Sequence, residues 1–310
     1  MTTNRHDVMI IGAGAAGLSA GLVLARAQAD VLLIDSGHQR NAPAAAIHGF
    51  VSRDGISPVA FYETARREVT EYGGAIVLNS ISAIRRRGTD FVATLRDGTV
   101  ETSRALLIAT GLVDELPLIP GVRDRWGTRV HHCPYCHGHE VLGQTIVVVG
   151  GRARELSIKQ AGLLRRYSDD VTLITNGIVL AEAELNRLEA FGVRVIAGAV
   201  SHLVGEPGTL SGVALGDGTI LPADAVFVAP SQRQNDELLR SLGCQLDAQT
   251  GLVSVDSVGQ TSVAGVWAAG NVVTPTAQVV TAAGAGSASA IAINGWLLQL
   301  DLDTASAGRP

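Results

Sequence analysis

Val8-Met9-Ile10-Ile11-Gly12-Ala13-Gly14-Ala15-Ala16-Gly17 decides how the rest of the chain is read. Four apolar residues run directly into a glycine turn, the pattern of a buried strand passing sharply into a helix. The alanine-rich run Leu18 to Ala29 predicts that helix, and Val31 to Ile34 predicts a second strand. Strands without polar alternation are covered on both faces, and a helix between two of them makes the pair parallel. The unit is therefore βαβ. Gly12 permits the tight turn, Gly14 lets a pyrophosphate approach the backbone, and Gly17 lets helix pack on strand. Ala15 and Ala16 complete the turn with these glycines, and the unpaired N–H groups and positive dipole end of the helix that follows favour an anion. Asp35, closing the second strand, is placed to accept hydrogen bonds from ribose hydroxyls.

Working outward, Ala105 to Ala109 is another buried strand, and the proline and glycine punctuation of Leu116 to Gly121 marks a crossing between domains. A second βαβ unit begins at Thr145 to Val149, ends in Gly150-Gly151, and continues through a helix to Arg166 and a strand at Val171 to Ile174. Gly265 to Asn271 reads as a last strand of the first domain, before an alanine-rich helix from about Gln278 to Leu298. The expected fold is α/β, with two Rossmann-like three-layer dinucleotide-binding domains and the second inserted into the first. Its segments are 1–114 and 241–300 for the first domain, 115–240 for the second, and 301–310 for a loose tail. FAD is the favoured dinucleotide, because Gly270-Asn271 could offer a polar group to a ribityl chain and the helix start near Gln278 could face the flavin ring.

The formal net charge of −5 and the lack of basic runs beyond Arg85-Arg86-Arg87 give no footprint for nucleic acid. No apolar stretch reaches the roughly 18 residues that cross a bilayer, and no signal-peptide core follows Met1, so a cytoplasmic place is expected. Three cysteines are too few for a secreted disulfide framework. Cys244, alone, reads as a small buried apolar residue.

His131-His132-Cys133-Pro134-Tyr135-Cys136-His137-Gly138-His139-Glu140 carries the chemistry. Two cysteines at this spacing can close a small disulfide ring, and at a helix start the dipole favours one thiolate. The neighbouring imidazoles can relay protons during exchange. Zinc on Cys133, Cys136 and two histidines is the rival reading, but His137 and His139 stand too close for the usual ligand arm. No metal is therefore assigned. The irregular stretch His38 to Asp54, with Asn41, Pro43 and His48, is long enough to line a substrate pocket, although His48 reads equally as a surface histidine.

Taken together, the glycine turn, Ala109-Thr110-Gly111, the Cys-x-x-Cys ahead of a second βαβ unit, and Gly265-Val266-Trp267-Ala268-Ala269-Gly270-Asn271 resemble the low-molecular-weight thioredoxin reductase family. Cys-Pro-Tyr-Cys-His-Gly-His-Glu is closer to the FAD-dependent dithiol oxidases of the gliotoxin and holomycin kind. The resemblance implies a homodimer with non-covalent FAD and a redox-active disulfide beside the flavin. It implies that Cys136 contacts the flavin and Cys133 exchanges with substrate sulfur, with His137 or His132 moving the proton. Asn41, Thr110, Gly111, Asn271, Gln278 and Val279 then belong to the flavin site. Asn271 stands where reductases have Asp. The nicotinamide fingerprint is broken by Arg152 and Glu155, and Thr175-Asn176-Gly177 lacks the arginines that hold an NADPH phosphate. The expected activity is oxidation of a small-molecule dithiol to a disulfide with dioxygen as acceptor. A reductase fed by NADPH or ferredoxin, and a non-catalytic redox sensor, are the alternatives.

Overall fold

The computed structural model describes residues 5–206 and 208–307. In chain order it begins with β1 (Arg5–Ile11), α1 (Ala15–Arg26), β2 (Val31–Asp35), α2 (Pro58–Glu71), β3 (Ala75–Leu78), β4 (Ile81–Arg87), β5 (Asp90–Leu95) and β6 (Val100–Ile108). Next come β7 (Leu112–Glu115), β8 (Val130–His131), α3 (Pro134–His137), β9 (Ile146–Val149), α4 (Arg154–Leu164), β10 (Val171–Ile174), α5 (Glu182–Ala190) and β11 (Val193–Ile196). The remainder is β12 (Val200–Val204), β13 (Gly212–Leu215), β14 (Ile220–Pro222), β15 (Ala225–Val228), β16 (Ser231–Gln234), α6 (Glu237–Ser241), β17 (Val266–Ala268) and α7 (Val279–Ala307).

The chain divides into two compact units. The first holds residues up to Arg40, Val59–Val113, and everything from Gln234 on; the second holds Asn41–Pro58 and Asp114–Arg233. The borders thus lie a few residues before those expected at 115 and 240. The stretch 41–58, which the sequence places with the first domain, packs with the second unit, through contacts that no local pattern announces.

In the first unit the sheet order is β3-β2-β1-β6-β5-β4, with β17 also on β6. β6 is long enough to serve two neighbours on one edge: its first half pairs antiparallel with β5 and its second half parallel with β17. Ile11 lies beside Ile34 and Ile108, and Ala268 beside Ile108, so these parallel strands end level. The crevice beyond those ends is where such sheets bind ligands. β2 is buried at every position, as both faces are covered.

In the second unit the parallel sheet runs β11-β10-β9-β15-β8, and β12-β13-β14 form a separate antiparallel sheet. β9, β10 and β15 are buried throughout. Two apolar clusters cover this sheet, one around Val147, Val149 and Val213 and the other around Val148, Leu164 and Phe227.

Helix α7 runs past the expected end at Leu298 and takes in most of the expected tail. Arg104 pairs with Asp301 and with Asp7 at 3.0 Å, which holds the added turns to the sheet. Residues 308–310 lie outside the described residues. The helix crosses α1 so closely that a Cβ on Gly286 would stand 2.0 Å from the Ala16 carbonyl oxygen. Gly286→Ala is therefore expected to destabilise the protein by about 1–3 kcal/mol, the usual scale for overpacking. Chemical denaturation should show it, and an unchanged midpoint would mean that the helices separate freely.

Candidate active site

The glycine turn follows its expected geometry. A Cβ on Gly12 would come 2.5 Å from the Ala109 carbonyl, and one on Gly17 would come 1.9 Å from the Gly12 carbonyl. Gly12 also needs its positive φ of 99°. At Gly14, by contrast, an added Cβ meets nothing within 4 Å, so the backbone is open on the side where a pyrophosphate would lie. Ala15 and Ala16, buried behind it, begin α1. Asp35 is buried, accepts from the Ala13 N–H at 3.2 Å, and pairs with Arg66 of α2 at 2.8 Å.

The other expected cofactor residues are engaged within the chain. The Thr110 hydroxyl donates to the Asn235 carbonyl at 2.7 Å, and the Asn235 amide donates back to the Thr110 carbonyl at 2.9 Å. Gly111, with φ of 67°, accepts from the Asn235 N–H. The Asn271 Nδ2 faces the carbonyls of Thr274, Pro275 and Ala277 at 2.9–3.1 Å, which folds the loop ahead of α7. Its Oδ1 faces the Arg40 guanidinium at 3.4 Å. Gly270 takes φ of 79° at the end of β17, Gln278 accepts from the Ala282 N–H, and Val279 begins α7. Asn41 alone of this set lies in the second unit. Arg40, Arg66 and Asn235 are missed by sequence reading, since each pairs with residues remote in sequence.

Cys133 and Cys136 form a disulfide with Cα atoms 5.2 Å apart. The helix they start, α3, is a single turn, and the amides of Cys136 and His137 both donate to the Cys133 carbonyl. The expected stabilisation of a thiolate by a helix dipole is therefore not carried by α3, which is too short to build one. The turn is tightly packed: a Cβ on Gly138 would come 2.6 Å from the Tyr167 ring. Tyr135, between the cysteines, is exposed, and both cysteines are partly so.

The histidines divide by environment. His131 and His137 stack with ring centroids 4.3 Å apart, and Phe227 of β15 lies against His131. The Nδ1 atoms of both rings are shielded from water without a hydrogen bond of good geometry. Burial, reinforced by the charges of His137, His132 and Arg129, pushes the His131 pKa down to about 3. Burial also lowers that of His137; Glu140 and the Cys133 carbonyl oppose the shift, and His48 adds to it. Both rings are thus neutral near pH 7. His132 stacks on Trp126 at 5.5 Å. Its carbonyl accepts from Gln160, a fully buried residue of α4 that also donates to the Val228 carbonyl. A lone glutamine on the buried face of that helix is the sequence signal that could have found it.

Among the described residues no group of three or more His, Cys, Asp or Glu side chains is arranged to hold a metal ion. Nor is any helix long and apolar enough to cross a membrane.

A family model described as pyridine nucleotide-disulphide oxidoreductase matches residues 6–286. The chain belongs to that family. It is similar to thioredoxin reductase tcpT of Claviceps purpurea, 32% identical over 87% of each chain. It is likewise similar to a thioredoxin reductase of Mycolicibacterium smegmatis, 30% identical over 97% of this chain and all of the other. Among solved structures, that of HlmI superposes with a TM-score of 0.95 at 45% identity, covering 98% of this chain and 97% of the other.

As a pyridine nucleotide-disulphide oxidoreductase of the thioredoxin reductase type, the chain is an FAD-dependent thiol/disulfide enzyme. Its first unit fits that cofactor, with a filled cradle at Gly12 and Gly17, open backbone at Gly14 and a buried carboxylate at Asp35. The second unit's equivalent turn is different. The Ser157 hydroxyl caps the Gly151 N–H at 3.2 Å, and the Asn176 amide donates to the Gly150 carbonyl at 2.9 Å. Arg154 is drawn aside to Glu184 and the Val179 carbonyl. Glu155, one of the two residues that break the fingerprint, projects into solvent.

The buried neutral His131 makes stability depend on pH. Its folded pKa lies below the ordinary 6.5, so the unfolded chain binds the extra proton as pH falls from 6.5 towards 3. That proton removes about 1.4 kcal/mol per pH unit within the window and nothing above it. His131→Phe, which keeps the stacking, should flatten this limb when unfolding is followed from pH 7 to 4. An unaltered slope would contradict a neutral His131.

Proposed function

We propose that the enzyme oxidises a small-molecule dithiol to a disulfide, with dioxygen as the final acceptor and hydrogen peroxide as the second product. The observation that carries this reading is the turn between β9 and α4. There the Gly151 N–H, the kind of donor that would cradle a pyrophosphate, is bonded to the Ser157 hydroxyl of the chain itself, and the Asn176 amide ties down the Gly150 carbonyl beside it. Electrons then enter from the thiol side. The sequence resemblance to dithiol oxidases of natural-product pathways supports the same direction.

The chemistry begins with a substrate thiol giving its proton to an imidazole, His137 or His132, near the cysteine pair. The thiolate attacks Cys133 Sγ, breaking the Cys133–Cys136 bond and leaving Cys136 as a thiolate. The second substrate thiol, deprotonated in turn, attacks the mixed disulfide; the product disulfide leaves and Cys133 becomes the second reduced sulfur. Bound FAD supplies the two-electron link between the reduced pair and dioxygen. Gly12, Gly14, Gly17 and Asp35 hold its nucleotide part, while Gly270 and the loop fixed by Asn271 shape the approach to α7.

The enzyme acts as a homodimer in this reading. Along α7, Ile291, Leu298 and Leu302 stand exposed at helical spacing, a face that a second copy would cover.

The experiment is an anaerobic titration of the flavin spectrum. NADPH should leave the flavin oxidised, a small dithiol should reduce it, and air should restore it with one peroxide per dithiol. Prompt bleaching by NADPH would make the protein a reductase instead. In the same assay Cys136→Ser should retain FAD and lose at least about a hundredfold in dithiol turnover, the scale on which a covalent participant acts; retained turnover would remove Cys136 from the electron path.

A further inference from the structure

The segment 41–58 forms no helix or extended strand, yet it is fixed at two places against the cysteine segment of the same unit. Near its start, the Pro43 carbonyl lies so close to Gly127 that a Cβ there would come within 2.6 Å. Gly127 follows Trp126, the ring that stacks on His132. Further along, Ile47 bridges Ile56, and the loop between them presents His48. Its Nδ1 lies 3.4 Å from Asp54 and its Nε2 lies 3.3 Å from Glu140. Asp54 is itself oriented by the Gly49 N–H at 2.8 Å. Carboxylates only accept, so a ring with both N–H groups present satisfies both neighbours at once.

We propose that His48 is a positioning residue of the cysteine site: bridging Asp54 and Glu140, it pins segment 41–58 to the turn after Cys136 and sets its own ring beside the Glu140 carboxylate, so that the two groups act on His137 in opposite senses. Glu140 stands three residues beyond His137 in that turn, where its charge favours a protonated His137 ring and a positive charge on His48 opposes one. The remaining groups around the pair are the stacked His131, then His132 and Arg129 facing His131, His139 facing Asp54, and Tyr167 packed on Gly138. Of these, His48 and Glu140 are the two whose charges act on His137 in opposite directions. The clamp therefore sets the pH at which His137 can accept a thiol proton. This consequence for exchange rests on the dithiol chemistry proposed above; the clamp itself does not.

The test is a titration of the histidine rings by NMR on the FAD-loaded, oxidised protein, with His137 assigned by comparison with His137→Gln. His48→Gln should move the His137 midpoint upward, and Glu140→Gln should move it downward. His48→Arg, which keeps a cation, should hold it near the wild-type position. Equal midpoints throughout, or shifts of one sign in both glutamine variants, would overturn the proposal. Glu140→Gln keeps the question answerable if His48→Gln does not fold, since it removes the other partner and has a fixed expected sign. In parallel, the rate at which dithiothreitol opens the Cys133–Cys136 disulfide is measured against pH. A rate profile that follows the NMR midpoints supports the clamp together with its role in exchange. Midpoints that move while the rate profile stays fixed would leave the clamp standing and count against His137 as the base.

Discussion

Backbone meeting backbone at Gly12, Gly17 and Gly286 is the constraint on which the first unit depends. At each of these positions even a methyl group would overlap a carbonyl, so strand, turn and two helices are locked at contact distance. With the layers fixed this closely, the parallel strands can end level and leave one crevice at their carboxyl ends. Gly14, the one open position in the turn, then marks where an anion can approach. The arrangement needs no basic side chain in the turn, since the helix start supplies the amides.

Around the disulfide the governing effect is desolvation. His131 and His137 share a pocket lined by Phe227 and are kept uncharged by it. A neutral imidazole is the form that can take a proton, and the burial that keeps these rings neutral also weakens them as bases. The cost falls on stability in acid, where the unfolded chain holds a proton that the folded chain refuses.

Local signals were legible in the sequence and remote pairings were not. The glycine turn, the flanking strands and the Cys-x-x-Cys are contiguous patterns whose spacing states their geometry. Arg66 on Asp35, Asn235 on Thr110 and Gln160 under His132 each join residues dozens of positions apart, and single-chain periodicity carries no trace of them. That the helix begun at the cysteines would be a single turn is not written in the Cys-x-x-Cys spacing. The reach of α7 was misjudged because Asp301 reads as a polar tail residue until Arg104 is placed beside it. Segment 41–58 could be seen as irregular, but not which unit it would join.

The self-bonded turn between β9 and α4 also bears on how such a domain changes over evolutionary time. A lost ligand site usually decays by drift, one contact at a time, and could be regained as gradually. Here Ser157 holds the Gly151 N–H, Asn176 holds the Gly150 carbonyl, and Arg154 is paired with Glu184. Arg152→Gly alone would restore the fingerprint on paper while leaving those bonds intact. On the reading proposed above, reversal would require several coordinated changes, each of which first leaves a polar group unmet, and the domain would behave as a ratchet, retained for its fold and for the cysteines it carries.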